Sequence, residues 1–262
     1  YPNFYLDTSI IQERKPGTHI NLISSTDNLW VSKSMFRKWN IYSEIKDISL
    51  NIYSNSQVNS FMKEYFKDDL IYEIFKKSII PVQKIDIFRI CLIFKFGGIW
   101  LDLKSEVNFK KVLELYKQSQ DNGILLSEPR KIDVITYQGN KIKKISKNVI
   151  HNGFFFLPKR SKFLKNLLLT IKKDYLYFQD VIFSIPKQGI MNLTGPHQFT
   201  RTLYSMEKKD RPSLVSQNDI DWVYFSKFGE FISPLRGINK HYSSIKDLKT
   251  IDSLKSSNLK EK

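Results

Sequence analysis

The stretch from Pro81 to Glu106, PVQKIDIFRICLIFKFGGIWLDLKSE, limits the possible folds more than any other part of the chain. Proline suits the first turn of a helix, where its missing N–H is not needed, and Gly97-Gly98 ends that helix before an apolar strand over 99–103. On a wheel at about 100° per residue, Ile85, Phe88, Leu92 and Phe96 form one apolar face. Val82, Ile87, Ile90, Ile93 and Phe94 widen it, leaving Lys84, Cys91 and Lys95 as a narrow wet edge. Such a helix must be covered on nearly every side. Asp86 and Arg89 nonetheless fall inside the apolar arc, and two charges there need each other or a charged ligand. From these residues alone, an ion pair tying the helix to a loop is the plainer reading.

The rest of the chain supplies the cover. His19 to Ser25 reads as a first strand, 31–39 as a helix, and Ile48, Leu50 and Ile52 alternate as a half-buried strand does. Ser54-Asn55-Ser56 then caps a helix carrying Val58, Phe61, Met62 and Tyr65. Further helices are expected at 69–78, 82–96, 110–119, 161–176 and 196–206. Short strands are expected at 99–103, 124–127, 132–137, 141–145, 153–157 and 222–226. The turn Gln138-Gly139-Asn140 makes 132–145 a basic hairpin. Residues 207–219 read as a mobile loop, a candidate lid, and the polar stretch from Ser243 onward as a loosely packed end. Strands and helices alternate early and mix later, which is an α/β pattern with an antiparallel element added.

Composition narrows the function. The chain has 262 residues and no alanine, so Ile, Leu, 19 Phe and 13 Tyr must fill the core. Its one cysteine, Cys91, excludes an intrachain disulfide framework and multi-cysteine metal sites, and fits a reducing compartment. The longest uninterrupted apolar run, Ile90 to Phe94, falls far short of the ~20 residues a membrane span needs. The chain begins at Tyr1 rather than Met, as a processed fragment would, so an anchor could have preceded it. With 42 Lys+Arg against 26 Asp+Glu, the formal charge is +16, a field that draws polyanions, anionic membrane surfaces or phosphorylated small molecules. A nucleic-acid binder is the competing class, resting on basic residues interleaved with aromatics over 172–178. Against it, the positive charges are dispersed and no nucleic-acid-binding motif is present.

The strand after Gly97-Gly98 ends on Asp102. In open α/β sheets ligands sit beyond the carboxyl ends of strands, and a carboxylate there orients a metal or a sugar hydroxyl as readily as it caps a loop. Alternation places Asp102 and Lys104 on one face and Leu101 and Leu103 on the other.

Asp86-x-x-Arg89 followed by Gly97-Gly98-Ile99-Trp100-Leu101-Asp102-Leu103 resembles the sugar-nucleotide signature of the DXD-containing glycosyltransferases of family 32, and is similar to capsular-polysaccharide and clostridial-toxin transferases. Asn152-Gly153-Phe154 with Pro158 resembles the family's Asn-containing strand. Thr194-Gly195-Pro196 resembles its turn before a helix, and His241 its C-terminal histidine. The chain departs in three places: Lys104 stands where the second Asp of DXD would, the N-terminal strand lacks the Ile-His-x-x-Trp pattern, and no tryptophan follows His241.

The resemblance implies a single GT-A-type catalytic domain over 1–245, a Rossmann-like mixed sheet flanked by helices with an added hairpin, then a polar tail over 246–262. It implies a hexosyltransferase of polysaccharide biosynthesis. Such an enzyme moves a sugar from a UDP- or GDP-sugar to a glycan or lipid-linked acceptor with retention of configuration, in the cytoplasm or at the inner face of a membrane. Asp86 and Arg89 would contact the donor's ribose and sugar, Gly97 and Gly98 would let backbone approach the nucleotide, and His241 would close over the diphosphate. Asn152, Thr194, Gly195 and His197 would face the acceptor. Asp102 and His241 would hold Mn2+ or Mg2+, so that turnover falls in EDTA and returns with manganese; alternatively Lys104 itself neutralises the diphosphate beside Asp102. A sugar-nucleotide-binding relative without turnover is the remaining alternative. His19 and His151 have no metal-ligand spacing and read as structural or surface histidines.

Overall fold

The computed structural model describes residues 19–23, 49–102, 105–119, 122–138, 141–224 and 246–249. The expected helix at 31–39, Lys104 and His241 lie outside these.

Elements follow in the order β1 (His19–Ile23), β2 (Ser49–Tyr53), α1 (Asn55–Phe66), α2 (Leu70–Lys77), α3 (Pro81–Phe96), β3 (Gly98–Leu101), β4 (Ser105–Glu106) and α4 (Phe109–Gln118). The second half contains β5 (Ile124–Gln138), β6 (Lys141–Leu157), α5 (Lys162–Phe178), β7 (Ile182–Phe183), α6 (Pro186–Leu193), α7 (Pro196–Ser205), β8 (Ser213–Val215), β9 (Val223–Tyr224) and β10 (Leu248–Lys249). The main sheet has the order β2-β1-β3-β6-β5-β8. β1 runs parallel to β2 and β3, β6 is antiparallel to β3 and β5, and β8 is parallel to β5. The expected mixed α/β sheet with an antiparallel hairpin is therefore present.

Both faces of the sheet centre are buried, and alternation divides its residues between two cores. Trp100, Leu125, Phe155 and Leu157 pack with Tyr53, Phe61, Phe88, Phe163 and Leu167 on one side. Ile99, Leu101, Ile124, Leu126, Phe154 and Phe156 pack with Val112 and Val215 on the other. The unbroken run Phe154 to Leu157 is thus what a strand covered on both faces requires. Bulky aromatics do the filling that the missing alanines leave to them: Phe88 meets Phe61, Tyr53 and Trp100 edge to face at 5.3, 5.2 and 6.3 Å.

Local chemistry sets the boundaries. Ser54 caps α1 with a reciprocal Gln57 contact, and Asp69 caps α2 by accepting from the Ile71 amide. Pro81 opens α3, and Gly97, at φ +74°, closes it.

Several expectations need correcting. Cys91 is not on a wet edge: it is fully buried, because neighbouring helices cover that side of α3, and burial pushes its thiol up. The strands expected at 124–127 and 132–137 are one strand, as are those at 141–145 and 153–157. Beyond residue 131 the two pair, among the described residues, only with each other. The 207–219 stretch is not simply a loop, since 213–215 forms the edge strand β8 between two short 3-10 turns. Helix α6 falls where no helix was expected. Part of the polar tail is also structured: Leu248–Lys249 pairs with β7. Among the described residues, no helix is long and apolar enough to cross a membrane.

Candidate functional site

Four segments meet beyond the carboxyl end of β3. Helix α3 brings Asp86 and Arg89, each about 5% exposed, and the chain leaving β3 brings Asp102, whose side chain is 32% exposed. Strand β6 brings Asn152, and the turn between α6 and α7 brings Thr194. Arg89 is the hub. Its Nη2 lies 3.1 Å from Asp86 Oδ1, while its Nη1 donates to Asp102 Oδ1 at 3.0 Å and to the Asn152 carbonyl at 2.6 Å. The guanidinium also sits 4.9 Å from the Trp100 ring centre, and Trp100 Nε1 donates to Asp102 Oδ1 at 2.9 Å. Asp86 is closed off on both oxygens. Oδ1 accepts from Asn152 Nδ2 at 3.0 Å, and Oδ2 from the Thr194 hydroxyl at 3.2 Å.

The electrostatics follow from burial. Removing Asp86 from water pushes its carboxyl up from 3.8 to about 7; Arg89 opposes this, Asp102 reinforces it, and the Thr194 and Asn152 hydrogen bonds oppose it more weakly. Arg89 therefore balances two carboxylates, one sealed and one open. Replacing Thr194 with valine keeps the shape but removes one hydrogen bond from a buried carboxylate. Thr194→Val should cost about 1–3 kcal/mol in chemical denaturation.

Asp102 presents two different oxygens. Oδ1 takes both side-chain hydrogen bonds, and the backbone is fixed by Asp102 N–H donating to the Gly153 carbonyl at 2.8 Å. Oδ2 accepts no hydrogen bond from a described residue and lies over Gly153, where a Cβ would come within 2.6 Å of it and within 2.5 Å of His151 Cε1. Gly153 is required for that close approach. Gly153→Ala should displace Asp102, lowering ligand affinity at the site by about 10-fold or more at an overpacking cost of about 1–3 kcal/mol; calorimetric titration and thermal unfolding read the two effects.

His151 adjoins this group as a structural histidine, one of the two readings the sequence offered. Its Nδ1 accepts from the Gly153 amide at 2.9 Å, which places the ring proton on Nε2, 3.6 Å from Glu128 Oε1. Burial lowers its pKa, with Asp102 and Glu128 pulling the other way. Glu128 pairs in turn with Arg130 at 3.4 Å. Both come from an irregularity in β5: the register passes from Ser127 opposite Ile150 to Lys131 opposite Asn148, so Glu128-Pro129-Arg130 faces a single residue. A proline cannot donate to the ladder, and bulges of this kind re-aim side chains beside functional sites. Pro129, lying between the two strands expected at 124–127 and 132–137, was the available signal.

Other expected residues fall elsewhere. Gly97 makes a close approach, but to the chain's own turn: a Cβ there would lie 2.7 Å from the Lys159 amide nitrogen. Gly98 opens β3. Gly195 precedes α7, where a Cβ would lie 2.8 Å from Met191 Cα. His197 sits two residues further on, in the first turn of α7, near Asn192 Oδ1 at 3.4 Å, its pKa lowered by burial and by Arg130 and Arg201. It is not in the Arg89 network.

A divalent cation takes six or more oxygen ligands, or keeps water in their place. Among the described residues no three His, Cys, Asp or Glu side chains come together to hold one, and Asp102 Oδ2 is a single open donor. The described residues do not by themselves make a metal site.

No protein-family model matches the chain, and no curated protein does so. Among solved structures, it is similar to one named "PaToxG Glycosyltransferase" over 72% of this chain and 70% of that chain, at 19% identity and a TM-score of 0.44.

Proposed function

We propose that the chain is a glycosyltransferase that moves a sugar from a nucleoside diphosphate donor to a glycan or lipid-linked acceptor. One observation carries the reading. Asp86, Arg89, Asp102, Asn152 and Thr194, the residues that resemble the sugar-nucleotide signature and its companion motifs, share one hydrogen-bonded network despite lying up to 108 positions apart. An ion pair that merely tied a helix to a loop would not need an Asn, a Thr and a second carboxylate.

In this reading Arg89 positions Asp102, and Asp102 Oδ2 accepts from a hydroxyl of the donor's ribose or sugar. Asp86, saturated by its neighbours, fixes Arg89. In transfer with retention, the bond between the anomeric carbon and the phosphate oxygen breaks while the acceptor oxygen bonds to the same face of that carbon. The acceptor's proton passes to the departing phosphate, so no protein nucleophile is required. Gly98 and His241 stand on the donor side of the proposal, and Asn152, Gly195 and His197 on the acceptor side. Lys104 lies two residues past Asp102, where it neutralises the diphosphate.

Thermal unfolding against a panel of UDP- and GDP-sugars, with and without manganese, tests this. A ligand that binds only the native state should add about 2.7 kcal/mol at 100 times its dissociation constant. A donor that stabilises the protein and is consumed with an acceptor supports the reading, and a panel with no stabilising member overturns it. Repeating the screen in EDTA decides whether the donor needs a metal.

A further inference from the structure

The corner joining α5 to α6 carries apolar residues on both of its sides. Inward, Phe178 and Phe183 stack at 5.9 Å, and Phe183 lies against Gly189 of α6, where a Cβ would come within 2.8 Å of the ring. Outward, Leu176, Tyr177, Val181, Ile182 and Ile185 face solvent, with Tyr177 72% and Ile182 63% exposed. One or two such residues are normal on any surface. Here, with Leu169 two turns back on α5, the corner holds six of the nine exposed large apolar residues among those described. Polar residues at 177, 182 and 185 would leave the inner packing untouched. A cluster of this kind marks an interaction surface.

Its charge indicates the partner. Lys165 and Lys173 share the outer face of α5 with Leu169 and Leu176, and Lys187 is exposed at the start of α6. These three lysines have no ion pair among the described residues. The acids of the corner are already engaged: Asp174 accepts from Gln198 and lies 3.7 Å from Arg201, and Asp180 is 2.9 Å from Lys249. Apolar side chains flanked by unneutralised lysines on one helix face suit a negatively charged bilayer surface, the apolar groups entering the headgroup boundary while the lysines reach phosphate.

We infer that this corner docks the protein on an anionic membrane surface. The inference does not depend on the sugar-transfer reading, although it would bring a lipid-linked acceptor near the site. Helix α6 has eight residues, about 12 Å at 1.5 Å per residue, and leads from the corner to Thr194.

Co-sedimentation of the full chain with phosphatidylcholine vesicles, with and without phosphatidylserine, tests it. Binding should require the anionic lipid and weaken with salt. The double variant Tyr177→Asp/Ile182→Asp should lose about 10-fold or more in affinity, as should Lys165→Glu/Lys173→Glu. The control Lys110→Glu/Lys117→Glu, on exposed positions of α4, makes the same change in net charge and should bind nearly as wild type does. Equal loss in both lysine variants would mean that diffuse charge binds the vesicle, and would overturn the inference. So would an absence of vesicle binding, or a dimer in sedimentation velocity that Tyr177→Asp/Ile182→Asp dissociates. Donor stabilisation, measured without vesicles, should be the same in the corner variants and in wild type, so the failure of either proposal is seen separately.

Discussion

Arg89→Ala should cost about 3–5 kcal/mol in equilibrium unfolding, the range for removing one partner of a buried ion pair. The cost arises less from lost attraction than from what remains. Asp86 would stay buried without the cation that most offsets its desolvation, and Asp102 and the Asn152 carbonyl would each lose a donor. The pH dependence separates this mechanism from simple loss of packing. In the wild type Asp86 is raised to about 7; without Arg89 its folded-state pKa rises further. A group whose folded pKa is raised gives stability that is complete below its unfolded value and is lost as pH rises through the folded value. The wild type therefore stops losing stability from Asp86 near pH 7, whereas Arg89→Ala goes on losing it above that. The deficit should widen above pH 7 and be flat in pH below it. Adding Asp86→Asn should remove that pH dependence. A deficit that does not change with pH would mean the carboxylate is not what the arginine protects.

The helix carrying this pair was readable from sequence because its signals were local. Proline at its start, two glycines at its end and an apolar surface nearly all round fixed α3, and two charges inside that surface implied a partnership. What the arginine's second partner would be depended on Asp102 lying at the end of the next strand, which alternation also made legible. Cys91 was misplaced because a wheel ranks faces by polarity, and a thiol sitting between two lysines looks wetter than its packing makes it. The position of His151 was hidden for a different reason. Its place beside Asp102 depends on the pairing of β3 with β6, where Leu101 stands opposite Phe154, and on the irregularity in β5 that turns Glu128 towards it. No periodicity in the β6 segment carries that information. Helix α6 gave little local signal, being eight residues long with a glycine inside it; Gly189 admits the Phe183 ring, a long-range packing requirement.

Asp102→Asn should leave the fold within about 1 kcal/mol of wild type while lowering turnover by about 100- to 1000-fold, the scale at which single ligand-facing polar groups act. The asymmetry of the two oxygens gives the reason. Both groups that approach Oδ1 from side chains, Arg89 Nη1 and Trp100 Nε1, are donors. An asparagine must therefore place its carbonyl oxygen there, keeping both hydrogen bonds, while Asp86 continues to neutralise the arginine. The amide nitrogen is then forced into the Oδ2 position over Gly153. The atom that meets the ligand changes from an acceptor to a donor, and the negative charge is gone, with almost no change in shape. Asp102→Ala, by contrast, would strand the indole N–H and one guanidinium N–H, and should lower stability as well as turnover. Paired measurements of unfolding and of donor consumption on the two variants distinguish a residue that contacts the reacting molecule from one that only completes a buried network. If Asp102→Asn turned over donor at the wild-type rate, Asp102 would be a structural acceptor for Arg89 and Trp100, and the site would have to lie elsewhere.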